Sequence, residues 1–353
     1  MSQQATGAAQ REAWRQRILP PVEKVAGGVW SVPVPIPDNP LRYVLCYLIE
    51  HKSGVVMVDP GWNHPDGWQA LVSGLAACEI PMSAVTAVVI THVHPDHHGL
   101  SGAVREASGA WVGMHEREDQ LLTRINEDLP GSARQGQWEQ YQRWCGAPEE
   151  HIRDVAAARQ MRPRAMVRAD RTIAHGELID VPGLRLRAVY TPGHSPGHLC
   201  LHDEDRDLLL TGDHVLPRIT PNVSAYDPQT RPLDDYLHSL EALRGMQPAE
   251  VLPAHEYRFT DLDARLRGLA DHHEQRLKEV EQVLAGAADG LSTWQVAERV
   301  TWSRGWDQLS GFPRQAALGE VMAHLRHLET AGAAQCADSG GVGWWRPAEP
   351  GPS

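Results

Sequence analysis

From about residue 25 onward, short apolar runs alternate with amphipathic stretches along this 353-residue chain. The run at residues 84–92 is rich in β-branched side chains, which predicts a buried strand. Residues 99–109 space their apolar side chains as a helix does and end in glycine, and residues 110–115 are again strand-like. Further apolar runs predict strands at residues 44–50, 54–61, 184–194, 198–203, 207–213 and 250–255. This alternation indicates an α/β protein with a layered sheet.

Several stretches depart from this alternation. Residues 1–24 are polar and helix-prone, which predicts an N-terminal arm ahead of a main domain at residues 25–262. Residues 116–170 are charged and amphipathic, and we expect a helical insertion, either a lid or substrate wall or a solvated helical hairpin. Residues 263–347 are mostly helical and then glycine-rich, which predicts a small C-terminal domain, and residues 348–353 are expected to be disordered.

The charge balance argues against nucleic acid as the main partner. The chain has 33 lysine and arginine residues against 45 aspartate and glutamate residues, a net charge of −12, whereas a phosphate-binding surface needs concentrated positive charge. No apolar stretch approaches the ~18–20 residues of a membrane span. The five cysteines are scattered without a CxxC pair, and the N-terminus lacks the apolar stretch of a signal peptide. We therefore expect reduced thiols in a cytoplasmic protein.

Side chains that bind metals gather where the predicted strands end. The strand at residues 84–92 runs into the sequence THVHPDHHG at residues 91–99, which holds three imidazoles and a carboxylate within six residues. Such a group suits a borderline metal such as zinc. Four further strands end in an aspartate or a histidine, and ligands in open α/β sheets gather at the carboxyl ends of strands. These four residues are Asp59, His194, Asp213 and His255. The candidate ligands, enough for two metal ions, are His92, His94, Asp96, His97, His194, Asp213 and His255.

In this order, the motifs resemble those of the metallo-β-lactamase-fold hydrolase superfamily. The matching segments are VDPG around Asp59, THVHPDHHG, PGH at 192–194, GD at 212–213 and PAH at 253–255. The resemblance implies an αββα sandwich with two divalent ions between the sheets, zinc by default, with iron or manganese as alternatives. It implies that His92, His94 and His194 hold one ion, that Asp96, His97 and His255 hold the other, and that Asp213 bridges them. Asp59 resembles the family's aspartate that orients a ligand histidine.

A site of this kind implies hydrolysis. Two ions lower the pKa of a bridging water, and the resulting hydroxide attacks an ester, thioester, lactone, amide or phosphodiester. Asp96 and Asp213 are the candidate catalytic carboxylates, which steady the nucleophile or take part in proton transfer. Candidate substrate contacts are His115, at the end of a predicted strand, and Asn222 and Tyr226, on the loop after Asp213.

Departures from subfamily patterns narrow the function. Many true β-lactamases place cysteine or serine where this chain has Asp213, which argues against antibiotic hydrolysis as the main role. A bridging aspartate is similar to the pattern of glyoxalase II, thioesterases, lactonases and nucleases. Residues 263–347 resemble the winged-helix tail of a branch that includes thioesterases of polyketide pathways and a ribonuclease. Because glutamates accompany Arg314 and Arg326 on its last helix, packing on the hydrolase core or a partner subunit is favoured over RNA binding.

Three hypotheses are open at this point. The first, which we favour, is a hydrolase of thioesters, esters or lactones with an apolar acyl pocket under residues 116–170. The second is a metal-dependent ribonuclease. The third is a non-catalytic binding module on the same fold, against which the complete ligand set argues. We expect a small acyl molecule as the partner, no membrane association, and a homodimer as one oligomeric option.

Overall fold

The structure, a computed structural model, describes residues 4–126, 133–160, 166–227, 229–287 and 289–349. The internal contacts of the chain divide it into two compact units. The first unit comprises Met1–Ile125, Ala165–Pro221 and Ser239–Arg267, and the second comprises Asn126–Arg164, Asn222–His238 and Gly268–Ser353.

Strands and helices alternate through the first unit, as expected from the apolar pattern. The described residues of the two units together form the following elements, in chain order. The strands are β1 (Gln4–Ala5), β2 (Glu23–Ala26), β3 (Val29–Pro35), β4 (Tyr43–His51), β5 (Gly54–Val58), β6 (Val85–Val89), β7 (Trp111–Met114), β8 (Arg171–Thr172), β9 (Leu186–Tyr190), β10 (Leu199–Asp203), β11 (Leu208–Gly212), β12 (Glu250–Pro253), β13 (Phe259–Thr260), β14 (Ala334–Ser339) and β15 (Val342–Pro347). The helices are α1 (Ala8–Gln16), α2 (Pro65–Ala77), α3 (Pro95–His98), α4 (Ser101–Ser108), α5 (Glu116–Asn126), α6 (Ala133–Trp144), α7 (Glu149–Gln160), α8 (Pro232–Ala242), α9 (Leu262–Ala285), α10 (Thr293–Arg299) and α11 (Gly311–Thr330). Within the described ranges, none of these helices combines the length and the apolar character needed to cross a bilayer.

One sheet of the first unit has seven strands in the order β2–β3–β4–β5–β6–β7–β8. The strands from β2 to β5 pair antiparallel, and those from β5 to β8 pair parallel. Helices α2 and α4 cover one face of this sheet, because Leu71, Leu75 and Val104 of the helices share a buried cluster with Val32 and Val88 of the strands.

The second sheet has six strands in the order β1–β13–β12–β11–β10–β9. Its β11 and β12 pair parallel, and its other pairs are antiparallel. The two sheets share one apolar core, in which Leu45 and Val89 of the first sheet lie with Leu201 and Leu210 of the second. The predicted α/β class and the sandwich of two sheets are therefore confirmed.

Each sheet contains a parallel pair whose carboxyl ends lie side by side. Val58 of β5 is in register with Val89 of β6, so the chain leaves both strands at the same edge. In the other sheet, Gly212 of β11 is in register with Pro253 of β12. The loops that leave these four strands therefore begin at the carboxyl ends of two parallel pairs, and each loop carries an aspartate or a histidine.

The second unit contains α6, α7, α10, α11 and the hairpin of β14 and β15. Trp345 of the hairpin is completely buried, and its indole N–H donates to the Thr293 hydroxyl at 3.1 Å. The guanidinium of Arg326 lies 5.1 Å from the centre of the same indole ring. The order helix, helix, hairpin is the order expected from the sequence, and the winged-helix assignment itself stays a prediction.

The division into units differs from the predicted domain boundaries. Within the predicted insertion, α5 belongs to the first unit up to Ile125, whereas α6 and α7 belong to the second. The predicted boundary between residues 262 and 263 falls inside the first unit, which continues to Arg267. The predicted arm is part of the first unit, where the buried Gln10 amide donates to the Ser31 hydroxyl at 3.0 Å. Of the tail predicted to be disordered, residues 350–353 lie outside the described residues.

Candidate metal centre

The centre is built on the loop that follows β6. Thr91 anchors this loop, since its backbone N–H donates to Asp59 Oδ1 at 2.8 Å and its hydroxyl donates to Asp59 Oδ2 at 2.7 Å. Asp59 follows β5 and has a φ of 52°, a left-handed conformation that aspartate adopts more readily than most residues. The carboxylate at the end of one parallel strand thus fixes the loop at the end of the next.

Three histidines from two loops form the first cluster. His92 Nε2 lies 2.9 Å from His94 Nδ1, and His194 Nε2 lies 3.2 Å and 3.1 Å from these two atoms. His92 and His94 come from the loop after β6, whereas His194 comes from the loop between β9 and β10. Three imidazole nitrogens placed in this way could hold one metal ion.

A second cluster consists of Asp96, His97 and His255. Pro95 begins the short helix α3, which carries Asp96 and His97. His255 Nε2 lies 3.4 Å from Asp96 Oδ2, and His97 Nε2 lies 3.8 Å from the same oxygen. The ligand atoms of the three residues lie within 4.8 Å of one another, so this cluster could hold a second ion.

Asp213 lies close to both clusters. Its Oδ2 is 3.7 Å from His194 Nε2 and 3.5 Å from His97 Nε2, and its Oδ1 is 3.3 Å from His255 Nε2. The turn into this residue depends on Gly212, which has a φ of 48° and whose absent Cβ would come within 2.6 Å of a buried histidine ring. The carboxylate therefore faces both groups, which is the placement expected of a bridging ligand.

Hydrogen bonds on the far side of two rings direct their lone pairs toward the clusters. His97 Nδ1–H donates to Asp59 Oδ2 at 2.8 Å, and His255 Nδ1–H donates to the backbone carbonyl of Tyr43 at 2.7 Å. Because a carboxylate and a carbonyl can only accept, each Nδ1 must carry the proton. Each Nε2 is then the atom available to a metal ion.

Comparison with known proteins places this arrangement in a family. Residues 39–255, more than half of the chain, match the Metallo-beta-lactamase superfamily. The chain belongs to the metallo-β-lactamase superfamily. All seven candidate ligands lie within the matched residues, of which His255 is the last.

Its relatives within the superfamily come from fungi and bacteria. The chain is 25% identical to the lactamase-like protein adaB of Aspergillus niger over 266 residues, which cover 74% of the chain and 65% of that relative's length. It is 26% identical to the probable metallo-hydrolase YqjP of Bacillus subtilis over 68% of the chain and 76% of YqjP. It is 25% identical to the atrochrysone carboxyl ACP thioesterase dmxR1 of Cryptosporiopsis sp. over 86% of the chain and 81% of dmxR1.

Two solved structures of the superfamily resemble the chain over nearly its full length. The metallo-β-lactamase family protein TTHA1429 from Thermus thermophilus is 28% identical with a TM-score of 0.74, covering 92% of this chain and all of that one. A β-lactamase domain protein from Burkholderia ambifaria is 25% identical with a TM-score of 0.80, covering 98% of each chain. These matches confirm the superfamily fold.

The superfamily fold implies divalent metal ions, and the side chains fit them. His97 Nε2, His255 Nε2 and Asp213 Oδ1 are buried, and none of these atoms makes a hydrogen bond within the described part of the chain. Buried polar atoms are rarely left without a partner. These three atoms lie close together and can be satisfied at once by a cation between them.

The electrostatics of this metal centre favour a bound cation. Burial and the neighbouring imidazoles lower the pKa of His94 to about 3, so this ring is neutral, the form that binds metal. Burial opposes protonation of His255, but the carboxylates of Asp213 and Asp96 raise its pKa to about 10. Burial would likewise raise the pKa of Asp96, yet the charges of His97 and His255 lower it to about 2. The carboxylates are therefore ionised at neutral pH and attract positive charge.

The three predicted substrate contacts are divided between the two units. His115 follows β7 in the first unit, and its ring stacks on Tyr190 with the ring centres 4.4 Å apart. Asn222 and Tyr226 belong to the second unit, where the Ser224 hydroxyl donates to Asn222 Oδ1 at 2.6 Å and Tyr226 is exposed. A role of these residues in substrate binding stays a prediction.

Sequence reasoning missed two groups that support the ligands. Thr91 fixes the ligand loop on Asp59, and the Tyr43 carbonyl holds the ring of His255. Thr91 lies within the THVHPDHHG motif and could have been found as the residue that joins the strand to its ligands. The backbone carbonyl of Tyr43 gives no signal in the sequence, because every residue has such a group.

Proposed function

We propose that this protein is a binuclear metal-dependent hydrolase that acts on a thioester, an ester or a lactone. One observation carries the proposal: three buried atoms, His97 Nε2, His255 Nε2 and Asp213 Oδ1, lack hydrogen bonds within the described residues and face the same space. Atoms placed in this way need positive charge between them, which a proton on His255 supplies in the metal-free protein and a metal ion supplies when bound.

We assign the ligands by the two clusters, with Asp213, which lies close to both, as the bridging ligand. His92, His94 and His194 hold one ion, Asp96, His97 and His255 hold the other, and Asp213 binds both. Imidazoles outnumber carboxylates in this set and no carbonyl group takes part, which favours zinc, with iron or manganese as alternatives, over calcium or magnesium. Asp59 orients His97 through the 2.8 Å hydrogen bond to its Nδ1.

The residues of the site have separate tasks in hydrolysis. When bound, a pair of divalent ions supplies Lewis-acid polarisation of the scissile carbonyl and makes water more acidic. Asp96 is ionised and buried beside His97 and His255, where its carboxylate would hold the second ion and steady the attacking water through a hydrogen bond. Asp213, on both clusters, keeps the two groups of ligands at a fixed separation.

A thioester is the first choice among acyl substrates. The relative dmxR1 is an atrochrysone carboxyl ACP thioesterase, and its match covers 86% of this chain. The aspartate at position 213, where many β-lactamases have cysteine or serine, argues against a β-lactam. A thiolate is also a good leaving group, so the protein does not need a strong general acid for this reaction.

The proposal is tested by turnover of a substrate panel. Metal-loaded protein is assayed with acyl-CoA and acyl-carrier thioesters, aryl esters, lactones, a β-lactam and short single-stranded RNA. We expect the highest kcat/KM for one of the first three classes and complete loss in Asp213→Ala. His202→Ala serves as the matched control, because His202 pairs with Asp207 outside both clusters. Turnover of RNA alone, or equal turnover by Asp213→Ala, would overturn the proposal.

A further inference from the structure

Glu118 is a buried carboxylate that the hydrolytic chemistry above does not use. It lies in the first turn of α5, within the stretch that the sequence marks only as a helical insertion. Its side chain is fully buried, and none of the ion pairs found among the described residues includes it. A carboxylate in such a position needs hydrogen-bond donors to offset the loss of water.

Three donors surround this carboxylate. The backbone N–H of Val93 donates to Oε2 at 2.8 Å, and the backbone N–H of Gly197 donates to Oε1 at 2.6 Å. The hydroxyl of Ser195 also donates to Oε1. Two of the three donors are backbone N–H groups, which cannot turn away, so the contacts hold the carboxyl group in one position between the loops.

The donors belong to the two loops that carry the three-histidine cluster. Val93 lies between His92 and His94, and Ser195 directly follows His194. The first loop leaves β6 of the seven-stranded sheet, whereas the second joins β9 and β10 of the six-stranded sheet. One carboxylate therefore links the metal-facing loops of both sheets.

Gly197 supports this interpretation independently of the hydrogen bonds. A Cβ at this position would lie 2.7 Å from the backbone nitrogen of Glu118 and 2.8 Å from its Cγ. These distances are shorter than real contacts of a Cβ, so only glycine lets the loop approach the start of α5 so closely. The close approach of this loop to α5 therefore depends on the glycine as well as on the hydrogen bonds to Glu118.

We propose that Glu118 is a positioning residue that sets the spacing of His92, His94 and His194. The proposal rests on the proposed function, in that these histidines hold one of two metal ions. Glu118 itself touches neither ion nor substrate. It acts through the backbone of Val93 and through Ser195 and Gly197, so its loss changes the geometry of one metal site and leaves the other intact.

Cobalt(II) titration of metal-free protein tests this role. Glu118→Gln keeps the size of the side chain but presents an amide N–H₂ to at least one donor, so at least one of the three hydrogen bonds is lost. We expect the affinity of one of the two cobalt sites to fall about 10- to 100-fold. The visible absorption bands of that site should shift, while the other site keeps its affinity. Glu116→Gln, an exposed glutamate in the same helical turn, is the control and should match the wild type.

Ser195→Ala removes a single donor, and it provides the same test if Glu118→Gln does not fold. It should move the same absorption bands in the same direction with a smaller loss of affinity. Wild-type affinity and unchanged bands in the folded variants, whatever their thermal stability, would overturn the proposal and leave Glu118 with a purely structural role. A wild-type protein that binds two cobalt ions but hydrolyses no substrate contradicts the proposed function instead, and the two failures are distinguishable.

Discussion

Replacing Asp59 by alanine tests how the ligand histidines are oriented. Asp59 accepts three hydrogen bonds, from the Thr91 backbone, from the Thr91 hydroxyl and from His97 Nδ1, all between 2.7 and 2.8 Å. Without the carboxylate, the His97 ring loses the contact that keeps its proton on Nδ1 and its lone pair on Nε2. Loss of such a partner typically weakens metal binding 10- to 100-fold, or about 1.4–2.7 kcal/mol.

The same change also costs fold stability. Each buried donor left without a partner costs about 1–3 kcal/mol, so the three donors together destabilise the metal-free protein by about 3 kcal/mol or more. Part of the measured loss comes from alanine in a left-handed conformation. Asp207→Ala is the matched control for that part, because Asp207 has a φ of 55°, close to the 52° of Asp59. Its exposed carboxylate also pairs with His202 at 3.1 Å, an exposed contact that contributes little to stability.

Two measurements on Asp59→Ala test whether Asp59 orients the metal ligands and stabilises the fold. Competition with a chromophoric chelator gives the zinc affinity, and urea unfolding of the metal-free protein gives the free energy of unfolding. We expect one site to lose affinity and the loss of stability to exceed that of Asp207→Ala. Wild-type zinc affinity, with a loss of stability no greater than that of Asp207→Ala, would show that Asp59 does not orient the ligand histidines.

Three further predictions follow from the centre. Asp213→Ala should lose affinity at both sites and all hydrolysis, whereas His202→Ala should keep both, as elemental analysis and turnover would show. Gly212→Ala should destabilise the fold by about 1–3 kcal/mol more than Gly245→Ala in urea unfolding, because both glycines have positive φ but only Gly212 is crowded by buried side chains. Zinc binding at pH 7 should release protons and tighten as the pH rises, because neighbouring carboxylates, against the effect of burial, raise the pKa of His255 to about 10 and a bound cation displaces that proton. Calorimetry in two buffers of different ionisation enthalpy measures this release.

The strands near the centre could be predicted from sequence because they are buried apolar runs. β6, at Val85–Val89, lies within the predicted strand at residues 84–92. β3 was not predicted, and its prolines explain why. Pro33 and Pro35 lie beyond Ser31, the last residue of β3 in register with β2. Proline is tolerated there because one neighbouring strand is missing, but its presence argues against a strand when only the sequence is known.

The candidate ligands could be predicted because one rule of sheet topology brings them together. Asp213 and His255 are 42 residues apart in the numbering yet follow strands that pair parallel. The groups that orient the ligands follow no such rule. Glu118 meets Ser195 only through the packing of α5 against a distant loop, and such long-range contacts leave no periodic pattern in the chain. For the same reason, no pattern in the chain indicates that the predicted insertion at residues 116–170 is divided between the two units.

Reconstitution of the metal-free protein shows whether two metal ions at this centre carry the hydrolysis. Protein treated with a chelator is titrated with zinc, and bound metal and thioester turnover are measured on the same samples. We expect no turnover without metal and a rise to a plateau at two bound ions per chain, in line with the two ligand clusters and with Asp213 close to both. Full turnover by protein that contains no metal would contradict this expectation.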